Sequence, residues 1–209
     1  MSHKKRNEQG FSLLETLIVI GIMAILASIT IFKSFGSMEN YRANSAMDIV
    51  RSQLRVARQV AISQRRNVQV SFNVAGTPPT ITYQVQAGNY AGSTEVNGTP
   101  AIMPLPNQVQ FTTEGTPDTP MGFGTCSGVS GAICIGPPNN PVSGGPAIMG
   151  FNTEGQFTDS TYVNTLNGTI LIGIPNQIAT ARAVTILGGT GRVRSYSYIG
   201  GTGTSKWTE

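Results

Sequence analysis

Along the chain the spacing of apolar residues changes twice, and each change marks a structural boundary. Residues 11–32 are apolar almost throughout, with Glu15 the single charge among them. As a helix this run spans about 33 Å, against a bilayer hydrocarbon core of about 30 Å, so it can cross a membrane. Residues 33–66 keep a helical period beyond a weak point at Gly36. Ala43, Ala46, Val50, Leu54, Ala57 and Ala61 recur at intervals of three and four, and Ile49, Val56 and Val60 widen the stripe, which predicts one buried helix face. Arg51, Arg55, Arg58 and Arg65 fall together on the other side. A nucleic-acid footprint is one reading of that row, but a solvated face is the ordinary expectation for an amphipathic helix. Unbroken, a helix over 11–66 would run about 84 Å.

From Asn67 onward the period drops to two. Val68, Val70, Phe72 and Val74 alternate with polar residues, Gly76-Thr77-Pro78-Pro79 supplies a turn, and Ile81, Tyr83 and Val85 alternate again, which reads as a hairpin. Further strands are expected within 108–113, 147–152, 169–174, 182–187 and 192–199. The expected fold class is α+β: a long N-terminal helix, membrane-spanning over 11–32 and amphipathic over 33–66, packed on an antiparallel β-rich head over 67–209. A Gly/Pro-rich insertion around 114–147 is too long for a simple connection and reads as an ordered insertion or a binding loop. Cys126 and Cys134 lie within it. An oxidising compartment favours their pairing, and closing so short a loop contributes roughly 2–3 kcal/mol.

Composition narrows the chemistry. Charged residues are 11% of the 209, under half the roughly 25% of an average soluble domain. Gly 25 and Pro 12 fit turn-rich β structure and argue against a coiled coil or a charged disordered chain. His3 is the only histidine and there are two cysteines, too few donors for His-based catalysis or a zinc site. Glu95, Glu114, Asp118, Glu154 and Asp159 show no acid–base pairing, and no Gly-x-Ser-x-Gly element occurs. The expectation is no enzyme, no metal and no cofactor, with an anchored periplasmic enzyme as the remote alternative.

The formal net charge is +4, of which Lys4, Lys5, Arg6 and Glu8 supply +2. Basic residues before an apolar span place the N-terminus in the cytoplasm and the body across the membrane. Glu15 is costly there, up to roughly 2.5–3.5 kcal/mol at mid-bilayer and less near an end, so it marks function by default. Ala24-Ile25-Leu26-Ala27-Ser28 is a weak secretory cleavage site because Ile25 breaks the small-x-small pattern.

The run Lys4-Lys5-Arg6-Asn7-Glu8-Gln9-Gly10-Phe11-Ser12-Leu13-Leu14-Glu15 resembles the processing site of type IV prepilins and type II secretion pseudopilins. The resemblance implies that prepilin peptidase cuts between Gly10 and Phe11, that 1–10 is a leader, and that Phe11 becomes N-methylated. It also implies a single-pass inner-membrane precursor with its head in the periplasm, which then joins other pilins or pseudopilins in a periplasmic or surface filament. The spacing has a physical sense of its own. An amine at Phe11 lies about 6 Å along the axis from Glu15, on the same helix face. In a staggered bundle the carboxylate of one subunit meets the amine of the next, so Glu15 is expected to set assembly register. Many pilins carry a proline near the position of Phe32; its absence here leaves a helix break unsignalled.

Three further stretches are similar to the GspH/FimT-type pilin-like proteins: Leu54-Arg55-Val56-Ala57-Arg58-Gln59-Val60-Ala61 leading into Asn67-Val68-Gln69-Val70; Asn152, Gly155 and Phe157; and Gly191-Arg192-Val193-Arg194. Strand alternation puts Arg192, Arg194, Tyr196 and Tyr198 on one face, where guanidinium and phenol groups suit phosphate contact and base stacking. Val193 and Ile199 should point inward, and Ser195 and Ser197 make that inward face poor, as at a sheet edge. In FimT-like competence pilins the Gly-Arg-x-Arg element is associated with DNA binding. The resemblance therefore implies a minor pilin-like subunit of a type IV pilus that binds DNA during uptake. A minor pseudopilin of a type II secretion system is the alternative.

Overall fold

Ser12 opens a 52-residue helix, α1 (Leu13–Gln64). Its carbonyl accepts from the N–H groups of Glu15 and Thr16 at 3.0 and 3.2 Å. Glu15 sits in the first turn, where the positive end of the helix dipole favours a carboxylate, and Ser12-Leu13-Leu14-Glu15 has the capping-box pattern. α1 continues through Gly36. It ends at a left-handed cap in which Arg65 has φ 50 and the Arg66 N–H reaches back to the Ala61 carbonyl at 3.1 Å.

The computed structural model describes residues 12–87, 96–112, 132–136, 142–143, 149–200 and 207–209, with side chains described at all of these except 29–37, 96–97 and 142–143. Gly10, Phe11, Cys126 and most of the 114–147 insertion lie outside the described residues. The chain divides into two compact units, Met1–Met38 and Glu39–Glu209. In the first, Leu13, Ile20 and Met23 are 80%, 67% and 65% exposed, and their apolar neighbours are exposed alike. Among the described residues no helix is long and apolar enough to cross a membrane. The expected 11–32 span extends past the described side chains at both ends.

In the second unit, Ala43, Ala46, Val50, Leu54, Ala57 and Ala61 are fully buried and belong, all but Ala43, to one apolar cluster shared with the strands. Ile49 and Val60 pack against that cluster. Val56 does not: it is 42% exposed, because it lies around the helix from the alanine line.

The strands follow in order: β1 (Val68–Asn73), β2 (Thr80–Gln86), β3 (Val96–Pro104), β4 (Gln110–Phe111), β5 (Ile133–Gly136), β6 (Val142–Ser143), β7 (Met149–Phe151), β8 (Phe157–Asp159), β9 (Asn167–Ile174), β10 (Gln177–Leu187), β11 (Arg192–Tyr198) and β12 (Trp207–Thr208). Among the described residues they form two antiparallel sheets, ordered β3-β2-β1-β7-β8 and β12-β11-β10-β9-β5-β6, with β4 also pairing β9. The fold is α+β. Phe72 of β1 meets Phe111 of β4 edge-on at 5.7 Å, joining the two sheets.

The expected hairpin becomes β1 and β2, and the strands expected within 108–113, 147–152, 169–174, 182–187 and 192–199 overlap β4, β7, β9, β10 and β11. β3 and β8 escape sequence reading: β3 contains Gly98, Pro100 and Pro104, which ordinarily signal turns, and β8 is three residues long. The 114–147 segment is not merely an insertion. Its residues Ile133–Gly136 are all buried and pair directly with β9. Cys134, within β5, is disulfide-bonded.

Arg182 ties helix to sheet. It is 6% exposed; its Nε donates to Asn44 Oδ1 at 2.6 Å and its Nη2 to Asn40 Oδ1 at 3.2 Å. Its Nη1 donates to the carbonyls of Ala179 and Ala181, beside the register shift in β10. Burial pulls its pKa down, and the four hydrogen bonds compensate the lost water.

Between β8 and β9, Asp159 organises a loop. Its carboxylate accepts from the Thr161 N–H and hydroxyl at 3.0 and 2.5 Å and from Asn164 Nδ2 at 2.9 Å. These bonds hold Tyr162 at φ 58, with its ring buried and its phenol pKa pushed up by that burial. Burial of Asp159 raises its own pKa, but the Thr161 and Asn164 hydrogen bonds outweigh that and leave it below the usual 3.8. A lowered folded-state pKa gives stability that is present above the unfolded value and fades as pH falls through the folded one. The melting-temperature difference between wild type and Asp159→Ala should therefore be largest at neutral pH and shrink once pH drops below the usual aspartate range.

Candidate functional site

β11 alternates as its sequence requires. Arg192, Arg194 and Tyr196 stand opposite Leu187, Thr185 and Ala183 of β10, so the two arginines and Tyr196 share a face, and Tyr198 continues it. On the other face Val193 is 5% exposed. Ile199, expected inward, is 63% exposed, because the strand ends at Tyr198. Nor is β11 an edge throughout: β12 pairs with it at Ser197 and Tyr198.

The side chains of this face differ in availability. Arg192 is exposed. Arg194 Nη1 contacts Glu209 Oε2 at 3.1 Å, and hydrogen bonding with Tyr196 together with the Glu209 charge pushes its pKa up. The exposure of both partners makes that ion pair weak. Tyr196 packs partly against the core, and Tyr198 meets Trp207 edge-on at 5.5 Å. Base stacking on Tyr196 is thus less accessible than strand alternation alone implies, while both arginines retain free donors.

The helix arginines are not a solvated row. Arg51 Nη1 donates to Ser195 Oγ at 3.1 Å, Arg55 Nη2 to the Val193 carbonyl at 3.3 Å, and Arg58 Nε to the Gly155 carbonyl at 3.1 Å. The small residues at 57 and 61 bring α1 close enough for its flanking arginines to reach across to the strands, which helix periodicity cannot reveal. Arg55 and Arg65 are nevertheless exposed, as expected, while Arg51 and Arg58 are half-buried.

Sequence stretches far apart meet at one junction. Asn152 builds the β7–β8 turn: its Oδ1 accepts from the N–H groups of Glu154 and Gln156 at 3.1 and 2.9 Å, and Gly155 takes φ +79. Gly191 has φ +62, and a Cβ there would fall 1.9 Å from the Gly155 carbonyl oxygen and 2.7 Å from Arg58 Nε. Both glycines are required by close approach and by the left-handed backbone. The glycine of Gly-Arg-x-Arg is thus a packing residue that fixes where Arg192 begins.

At the other end of the chain, ten large apolar side chains between Leu13 and Leu26 are exposed. At about 1.5–3 kcal/mol each, their transfer from water is worth roughly 15–30 kcal/mol, so this surface is built to be covered. Glu15 is exposed among them.

A prokaryotic N-terminal methylation motif matches residues 5–31. This match supports a type IV pilin-like protein. The motif implies processing by prepilin peptidase and assembly with other pilins into a pilus or pseudopilus. It covers Lys5, Arg6, Gly10, Phe11, Glu15 and the exposed apolar run, and stops short of the head. No curated protein and no solved structure matches the chain significantly.

The junction gives a direct test. Gly191→Ala should destabilise the head by roughly 2–4 kcal/mol through overpacking and left-handed strain, read as a lowered melting temperature. Gly189→Ala, with nothing within 4 Å of its added Cβ, should be close to neutral.

Proposed function

We propose that the chain is a minor pilin-like subunit of GspH/FimT type, built into a type IV pilus or related filament, whose β11 face binds DNA during uptake. The observation that carries the filament reading is the methylation motif over 5–31, together with the exposed apolar side chains from Leu13 to Leu26. The precursor spans the inner membrane once, head in the periplasm, and is cut between Gly10 and Phe11. The methylated Phe11 amine then meets Glu15 of a neighbouring subunit. The role is structural rather than catalytic, with no cofactor or metal.

The DNA part rests on Arg192 and Arg194, which present guanidinium donors from adjacent same-face positions of one strand. A second reading, a minor pseudopilin of a type II secretion system, draws support from Glu209 on Arg194 and from the partial burial of Tyr196, both of which reduce the surface offered to a polyanion. DNA binding separates the two.

Intact mass of protein from hosts with and without prepilin peptidase should differ by residues 1–10 less one methyl group, and N-terminal sequencing should return N-methyl-phenylalanine. Glu15→Ala should be processed yet fail to enter filaments; normal incorporation would remove Glu15 from assembly. Replacing both Arg192 and Arg194 with Ala should reduce the logarithmic salt dependence of DNA affinity by about two.

A further inference from the structure

The outward side of β1 and β2 carries no charge. Val68, Val70 and Ile81 belong to the core, and Val85 packs against it, so the alternate residues of both strands turn away from it. From Asn67 to Asn73 along β1 and from Thr80 to Gln86 along β2, every outward position is Asn, Gln, Ser or Thr. Gln69 pairs across with Gln84, Ser71 with Thr82 and Asn73 with Thr80. Ser71 and Asn73 are exposed, and Thr82 and Gln84 are half-buried. On the adjoining β3, Ile102 stands beside Thr82 and is 58% exposed.

Asn67 joins this face to a cleft of about 880 Å³ at the end of the sheet, a volume within the roughly 300–1,000 Å³ of ligand sites. Amides gather there. The Gln86 N–H donates to the Asn67 carbonyl at 2.9 Å and the Asn152 N–H to the Gln156 carbonyl at 3.0 Å, and next to Asn67 and Asn152 Val68 pairs with Phe151. Gln86, Asn67, Asn152 and Gln156 therefore stand at four successive strand ends, about 4.8 Å apart. Part of the polar capacity there is unspent. Gln156 accepts from Asn152 through Oε1, and its Nε2 donates to nothing among the described residues. Both amide atoms of Gln86 and the hydroxyl of Tyr162, which lines the cleft, are buried without a hydrogen bond, an uncommon condition that calls for a partner. Arg65 and Glu154 line the cleft together, so their charges offset and favour neither sign of ligand.

Carboxamides and hydroxyls both donate and accept, as the hydroxyls of a sugar do. A nucleic acid is held through cations, and the outward positions of β1 and β2 supply none. A protein interface is built around buried aromatic and apolar anchors, whereas Ile102 stands here among polar neighbours. We propose that the outward face of β1 and β2, with the cleft at its end, binds an uncharged linear glycan of β-linked hexoses. The cross-strand repeat of about 4.8 Å is close to the advance of one ring along such a chain, while an extended peptide advances about 3.4 Å per residue. The hydroxyls of the glycan bond the carboxamides and hydroxyls of the face, and its C–H surfaces lie on Ile102. The site is separate from β11 and independent of the DNA reading.

The test uses the full chain in a polyoxyethylene detergent, which has no sugar head group, and saturation-transfer NMR with cellohexaose as the probe. Wild type should transfer saturation to cellohexaose, and less to maltohexaose, whose α-linkages coil the chain. Ser71→Glu sets a charged side chain on the exposed face and should abolish the transfer. Gln59→Glu adds the same charge at an exposed position of α1 and should leave it unchanged. Thr82→Val with Ser71→Ala removes two hydroxyls with little change of volume, and should raise the dissociation constant about 3- to 10-fold. None of these positions is buried, so melting temperatures should match wild type; if Ser71→Glu lowers its own, Thr82→Val with Ser71→Ala carries the comparison. No transfer from wild type to cellohexaose overturns the site. An unchanged dissociation constant after loss of the two hydroxyls, or equal transfer in wild type and a folded Ser71→Glu, overturns the face as its location. Equal transfer to the two hexasaccharides overturns the match to a linear repeat.

Discussion

The head depends on a helix face nearly stripped of side chain. Ala43, Ala46, Ala57 and Ala61 are fully buried, with Val50 and Leu54 the larger groups between them. A face of methyl groups lets the helix backbone approach the strands more closely than leucines would, and the close-packed core then makes every flanking contact short. Arg51, Arg55 and Arg58 reach Ser195, Val193 and Gly155 because of that proximity. The arrangement of charge on the surface is a consequence of how the core is packed.

The same closeness explains the glycines. Gly155 and Gly191 sit where two turns and the helix converge, with no room for a Cβ at either. A sequence pattern that reads as a ligand motif, Gly-Arg-x-Arg, therefore combines two separate requirements. The glycine serves packing, and the arginines are what packing leaves facing outward. Change at the glycine acts on the position of the arginines, whereas change at the arginines leaves the junction whole.

α1 meets two environments in one continuous element. Over Leu13 to Leu26 it exposes ten large apolar side chains, with Glu15 the single charge among them. From Glu39 onward it is amphipathic, with one face in the core. The N-terminal methylation motif coincides with the first region and ends before the second. The matched motif thereby lies on the exposed apolar stretch, apart from the stretch that packs in the head. Glu15 belongs to the first, where its carboxylate favours the helix start.

Much of this was legible in the sequence. A period of 3.6 identifies the alanine stripe, a period of two identifies β1, β2 and β11, short apolar runs mark β9 and β10, and the basic run before Gly10, with Phe11 and Glu15, identifies the N-terminal motif, because each of these is a local regularity. β5 was hidden because three apolar residues among glycines and prolines carry no period, and only pairing with β9 makes them a strand. Sequence alone thus determined the element types, the buried helix face and the processing signature, all of which follow from neighbours along the chain. Tertiary structure alone decided that the helix arginines bond to β11, that Gly155 and Gly191 touch, that Val56 and Ile199 face outward and that Glu209 sits on Arg194. Those depend on distances between segments up to 144 residues apart, which no local pattern encodes.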